Sequence, residues 1–292
     1  MNKVLFFCFF LLSVSPIYSQ NGGNQIFRNR NYMENVNKSI NNFSSTDSTL
    51  VVNVNLLLNQ VADKYILTLG VNQDGKSPND CLIKINQRVD NFIAQTQKIG
   101  IKKNNLFVDF ISQTKIYDFD VKSDNVQEID KGFEIKKNII INVEDYSNIE
   151  KLISIASENQ IYDIIKVDYI NDNVDVIYDK LLNEAKLILE RKKENYLNKF
   201  NRKIIGNPRA NDNFYYVFPK TQYQEYSAYG SSEINNYSSS YVKKIARKDK
   251  TYFYDGVNYA GYDKVINNAN PVVGIQYVLN LTVTYDIEKN KK

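Results

Sequence analysis

The residues best equipped for recognition chemistry lie together in the last third of the chain. Tyr223, Tyr226, Tyr229, Tyr237 and Tyr241 recur within a stretch of Ser, Gly and Asn from 222 to 270. Tyrosine offers flat apolar area with a polar tip, which suits stacking on sugars or packing in a protein interface. A basic cluster, Lys243, Lys244, Arg247, Lys248 and Lys250, lies in the same stretch and could meet an anionic polymer. The plain alternative is a long loop whose rings cover a sheet edge.

Catalytic residues are harder to find. Histidine is absent, which removes Ser-His-Asp and Cys-His catalysis and nearly every common zinc site. Asp109, Asp118, Asp120 and Asp124 form an acidic scatter, and Asp118 and Asp120 would share one strand face, as a hard cation requires. Lys115 and Lys122 dilute that charge, and the spacing matches no cation-binding loop, so a solvated strand end explains it. Asp163 and Asp168 read the same way. No catalytic residue, metal ligand or cofactor site is assigned, and the chain is expected not to be an enzyme.

The chain opens with MNKVLFFCFFLLSVSPIYSQ: one lysine, an apolar run from Val4 to Val14, and small Ser19 before Gln20. That is the grammar of an export leader spanning 1–19. The run is shorter than the about 20 apolar residues that span a bilayer, and no later run is longer. Cys8 follows bulky Leu5, Phe6 and Phe7, unlike a lipoprotein signal. Once the leader is removed, Cys81 alone remains, so no internal disulfide is expected and buried filler is its natural role. With 37 basic against 33 acidic residues the chain is nearly neutral, which argues against nucleic acid as a partner.

Residues 20–48 read as a flexible tether rich in Asn, Ser and Gly, and the folded part is expected from Thr49. Leu50 to Leu58 is a β-type run, with a turn at Asn59 to Asp63 and an alternating strand from Lys64 to Asn72. Ser77, Pro78 and Asp80 can start a helix that ends at Gly100. Leu82, Ile85, Val89, Phe92, Ile93 and Ile99 give that helix one apolar face. Strands follow from Leu106 to Phe119 and from Phe133 to Val143, joined by a polar connection, VKSDNVQEIDKG. A helix capped by Asp145, a strand from Ile164 to Ile170 and a long helix from about Asn173 to Phe200 come next. The charged end of that helix, Glu190 to Lys199, reads as solvated. A short strand from Phe214 to Phe218 stops at Pro219.

The order from Lys64 to Ile170 predicts an α+β, ferredoxin-like (βαββαβ) antiparallel sheet with its helices on one face. The first and last strands should extend it. Pro271 to Ile287 is expected to return across the sequence and pair beside Leu50 to Leu58, and the 222–270 insertion should project from that junction. The domain would span 49–287, with a polar tail at 288–292.

These blocks carry a family resemblance. VNVNLLLNQVADKYILTLGV, the helix to KIGI, FVDFISQTKIYDF, GFEIKKNIIINVEDYSNIEKLISIA, VDYI and the long helix with Ala185 together resemble a SIMPL domain. The likeness covers roughly Leu50 to Ile205 and resumes in the final strand. Where family members often carry a glycine after the second helix, this chain has Asn159-Gln160. The resemblance implies an exported bacterial envelope protein, periplasmic or associated with the outer membrane, and transfers no active site. Its expected mode of action is self-association or binding of an envelope partner, and the second reading is a glycan or cell-wall binding module built on the Tyr-rich stretch.

Overall fold

The structure, a computed structural model, describes residues 43–122, 125–227, 250–269 and 272–289. The leader, most of the tether, Tyr229, Tyr237, Tyr241 and most of the basic cluster lie outside the described residues. Two compact units are distinguished, Lys38–Tyr223 with Tyr254–Lys292, and Met1–Asn37 with Gln224–Phe253. The first is α+β. To the second belong, among the described residues, only 224–227 and 250–253.

In the first unit, strands β1 (Phe43–Ser45), β2 (Thr49–Gln60) and β3 (Lys64–Gly75) precede helix α1 (Pro78–Lys98). Strands β4 (Leu106–Lys122) and β5 (Asn125–Val143) lead to α2 (Ser147–Glu158), β6 (Asp163–Ile170) and α3 (Val174–Phe200). Strands β7 (Ile204–Val217), β8 (Tyr223–Ser227), β9 (Lys250–Tyr254), β10 (Lys264–Ile266) and β11 (Ile275–Ile287) complete the chain. Among the described residues, β8 and β9 pair only with each other.

Helix α1 begins as its residues dictate. The Ser77 hydroxyl accepts the Asp80 amide at 3.2 Å, and Asp80 reaches back to the Lys76 amide at 3.3 Å. Gly100, at φ +92°, ends it, and the Ile101 amide closes on the Thr96 carbonyl at 3.2 Å. The buried seam is Cys81, Ile85, Val89, Phe92 and Thr96. Leu82, assigned to the apolar face by its spacing, is 39% exposed because the seam is narrower and Cys81 takes its place. The Cys81 thiol donates to the Phe133 carbonyl at 3.2 Å. Helix α1 packs on β3 and β5.

The four-stranded sheet has the order β4-β5-β3-β6, antiparallel throughout. The first and last strands do not extend it. Because β3 already has β5 on one side and β6 on the other, no edge of β3 is left for β2. Residues 61–63 instead carry the chain into a second sheet, of order β1-β2-β11-β7, with β10 added beside β2. There β11 pairs antiparallel with β2, Leu279 opposite Leu56, as the apolar character of Leu50 to Leu58 required. Helix α3 lies on β2 and β11, and the inner faces of both sheets share one continuous core.

Several local expectations change. Residues 43–45, expected within the tether, form strand β1, and the Phe43 ring meets Tyr196 at 5.0 Å and Phe200 at 6.1 Å. The connection VKSDNVQEIDKG is mostly strand, an outward continuation of the β4–β5 hairpin. Gly132, at φ +99°, marks where that ribbon leaves β3, and a Cβ there would strike the Gly75 carbonyl. Strand β7 starts ten residues before Phe214, at Ile204, hidden in sequence by exposed Asn, Arg and Asp.

The charged end of α3 buries Lys192 and Tyr196. Lys192 Nζ meets Asp263 at 2.6 Å and donates to the Asn53 carbonyl at 2.7 Å. Asp263 accepts the Asn55 amide at 2.8 Å and returns its own amide to the Asn55 carbonyl. Since β1 pairs β2 only as far as Val52 and β10 begins at Leu56, the ion pair seals the backbone left between them.

Candidate functional site

The tyrosines that meet in space come from distant parts of the sequence. Pairing of β3 with β6 sets Tyr65 opposite Tyr169, their centroids 5.1 Å apart and edge-on. Tyr146, at the start of α2, meets Tyr65 at 5.2 Å in the same geometry. Tyr223 lies 5.8 Å from Tyr254. Burial, above all, raises the Tyr169 hydroxyl well beyond its ordinary range, and interactions with Tyr223 and Tyr146 raise it further. Of the residues singled out from sequence, Tyr223 joins this constellation. Tyr226 sits on β8, and the other three lie outside the described residues. Tyr65, Tyr146 and Tyr169 were not singled out from the sequence; strand alternation, which places Tyr65 and Tyr169 on inner faces, was the signal for two of them.

Beside the cluster runs a cleft of about 260 Å³, lined by residues of β6 and by Phe218, Pro219 and Lys220. Asp168 holds Lys166 at 2.5 Å, with Lys220 at 3.9 Å. An aromatic wall with fixed charges of both signs can take the face of a sugar ring or a short polar peptide.

A second surface lies at the opposite edge of the four-stranded sheet. Phe107, Phe110, Ile111, Tyr117 and Phe119 on β4 are 47–62% exposed. Lys115 rides 5.1 Å from the centre of the Tyr117 ring and pairs with Asp130 at 2.8 Å. Asp118 accepts the Phe119 amide at 2.9 Å and pairs with Lys131 at 3.4 Å. Among the described residues, no three His, Cys, Asp or Glu stand close enough to hold a metal.

Two further polar groups serve structure. Arg88 donates to the Asn72 carbonyl at 2.7 Å and to the carbonyls of Asn159 and Gln160. It thereby holds the turn where Gln160, at φ +59°, occupies the conformation a glycine would adopt freely. Tyr277 donates to buried Asn171 at 3.0 Å, and its hydroxyl is pushed up to about 12, by burial first and then by Asp63 and Tyr216.

A tyrosine in the unfolded chain ionises near 10, so the stability from neutral Tyr277 is complete below about pH 10. It is lost as pH climbs toward 12, by on the order of 2–3 kcal/mol. Thermal melts should fall steeply between about pH 10 and about pH 12, and less steeply in Tyr277→Phe. An unchanged slope in that variant would place the titrating group elsewhere.

No helix among the described residues is long and apolar enough to cross a membrane. No curated protein matches the chain. A family model, SIMPL, described as a protein of unknown function (DUF541), matches residues 57–246. The match starts within β2 and runs past Gln222, into the stretch that sequence reading sets apart as an insertion. Covering well over half of the chain, it shows that the protein belongs to the SIMPL family.

Proposed function

We propose that this SIMPL protein is a non-enzymatic component of the bacterial cell envelope that acts by self-association or by binding an envelope partner. The observation that carries the reading is the presence of five large apolar residues exposed along β4, an edge strand of its sheet. Large apolar side chains exposed on an open sheet edge are characteristic of interaction sites. Export rests on the leader-like 1–19, which would be cut near Ser19 and leave the product in the periplasm or at the outer membrane. We also read the four-stranded half as ferredoxin-like; the order β4-β5-β3-β6, with β3 and β5 central, supports this.

A second reading, glycan binding, is favoured by the cleft along β6, where Phe218 and paired charges line a ring-sized space. The Tyr-rich composition of 222–270 suits the same chemistry.

Native mass spectrometry of the protein recovered from the envelope tests all of this together. The expected result is a protomer beginning near Gln20, present in multiples. A protomer that still carries Met1 would overturn export. A monomer would overturn self-association, and a monomer that retains bound oligosaccharide would establish the second reading in its place.

A further inference from the structure

We infer that β4 is the self-association edge, pairing antiparallel with β4 of a second copy about a two-fold axis at Tyr117. The inference rests on the self-association reading and names the surface and register through which it would act. Its starting point is the backbone. Among the described residues, β4 is hydrogen-bonded as a strand to β5 alone, so its other side is an open sheet edge, on which the Phe119 amide is met by the Asp118 carboxylate at 2.9 Å. Natural proteins blunt such edges with bulges, and β4 has one, at Ile111 between the pairs Phe110–Lys137 and Ser112–Lys136. Beyond it β4 carries no further bulge. The second irregularity, between Ile116 and Tyr117, places the extra residue, Lys131, on β5. Ser112–Lys122 is therefore an uninterrupted strand with Tyr117 at its midpoint.

Symmetry then selects the occupant. An antiparallel pairing that continues a sheet needs a two-fold axis perpendicular to it, which sets residues of the same face opposite one another. With the axis at Tyr117, that residue faces its own copy, and Lys115 faces Phe119 of the second copy. Asp118 faces Ile116 of the second copy, and Asp120 faces Thr114. No charge meets its like across the pair, whereas centring on Lys115 or Asp118 would set that residue against itself. A parallel, in-register pairing would set every charge against its copy. Tyr117 and Phe119, 50% and 61% exposed, would form a four-ring patch with their copies, flanked by the two Lys115 side chains. The isolated strand thus carries both halves of its own complement.

A single cysteine reads this register directly. Residues opposite each other in an antiparallel pair stand about 4.5–5.5 Å apart at Cα, within disulfide range. Tyr117→Cys in the protein recovered from the envelope, with Cys8 also replaced by Ser, should therefore form a covalent dimer under mild oxidation, with native Cys81 fully buried and silent. Phe119→Cys should not, because its copy lies four residues along the strand, about 13 Å away. Tyr117→Lys places two cations at the axis and should shift the solution mass toward the protomer; the site is exposed, so its melting curve should match that of the unsubstituted protein. Equal cross-linking of both cysteine variants would show random collision and overturn the inference. An unchanged assembly in Tyr117→Lys, together with no cross-link in Tyr117→Cys, would overturn the edge while leaving self-association intact. A monomeric unsubstituted protein would overturn both.

Discussion

Val89→Asp is expected to abolish the cooperative unfolding transition. Val89 is 4% exposed, one turn from Ile85 and Phe92 on the seam that α1 presses against β3 and β5. No cation faces that seam among the residues it buries, so the new carboxylate would have to be desolvated unpaired or the helix would have to lift. Either route costs several kcal/mol, against a typical total stability of about 5–15 kcal/mol. Because α1 covers the centre of the four-stranded sheet, its loss would expose the inner faces of β3 and β5 together. Gln87→Asp, on the exposed side of the same helix, is the control and should stay within about 0.5 kcal/mol. Circular dichroism during heating and urea titration separates the two. A normal transition in Val89→Asp would mean that the seam does not face a core.

The second large effect is expected at Asp263. Its carboxylate and the Lys192 ammonium are 7% and 9% exposed and share the gap in β2 between β1 and β10. Asp263→Ala leaves the ammonium buried without a counter-charge and the Asn55 amide without an acceptor. Removing one member of such a pair typically costs about 3–5 kcal/mol. Replacing both, with Lys192→Met and Asp263→Ala, removes the stranded charge and should lose less than the single substitution, although two backbone groups of β2 then lack partners. Urea midpoints for both variants give the comparison, and faster amide exchange at Asn55 locates the damage. A loss below about 1 kcal/mol in Asp263→Ala would show that water already reaches the pair.

These effects fall on residues of unequal legibility. Val89 could be named from the sequence because helical spacing alone puts it on a face with Ile85 and Phe92. The same logic found β11, where apolar residues alternate from Ile275 to Ile287 and all seven are buried. Lys192 could not be named, since its neighbours are charged and nothing local distinguishes the one lysine that turns inward. Strand β7 escaped for a related reason. It is an edge strand with largely exposed side chains, so its residues carry almost no apolar pattern although its backbone pairs with β11 over most of its length.

By itself the sequence determined the three helices and the apolar strands, the buried faces of α1, β5 and β11, the pairing of the last strand with the first long one, and the family. Side-chain periodicity records which face of an element avoids water, and an apolar strand must find a partner somewhere. Only the tertiary structure decided which strands share a sheet. Strands β2 and β3 are adjacent in sequence yet belong to different sheets, because β5 and β6 occupy both sides of β3. It also brought Tyr65, Tyr146 and Tyr169 together, buried Lys192 against Asp263, and left β4 as an open aromatic edge. Each of these depends on which backbone groups are already paired, and that is a property of the assembled sheet that no local stretch of residues encodes.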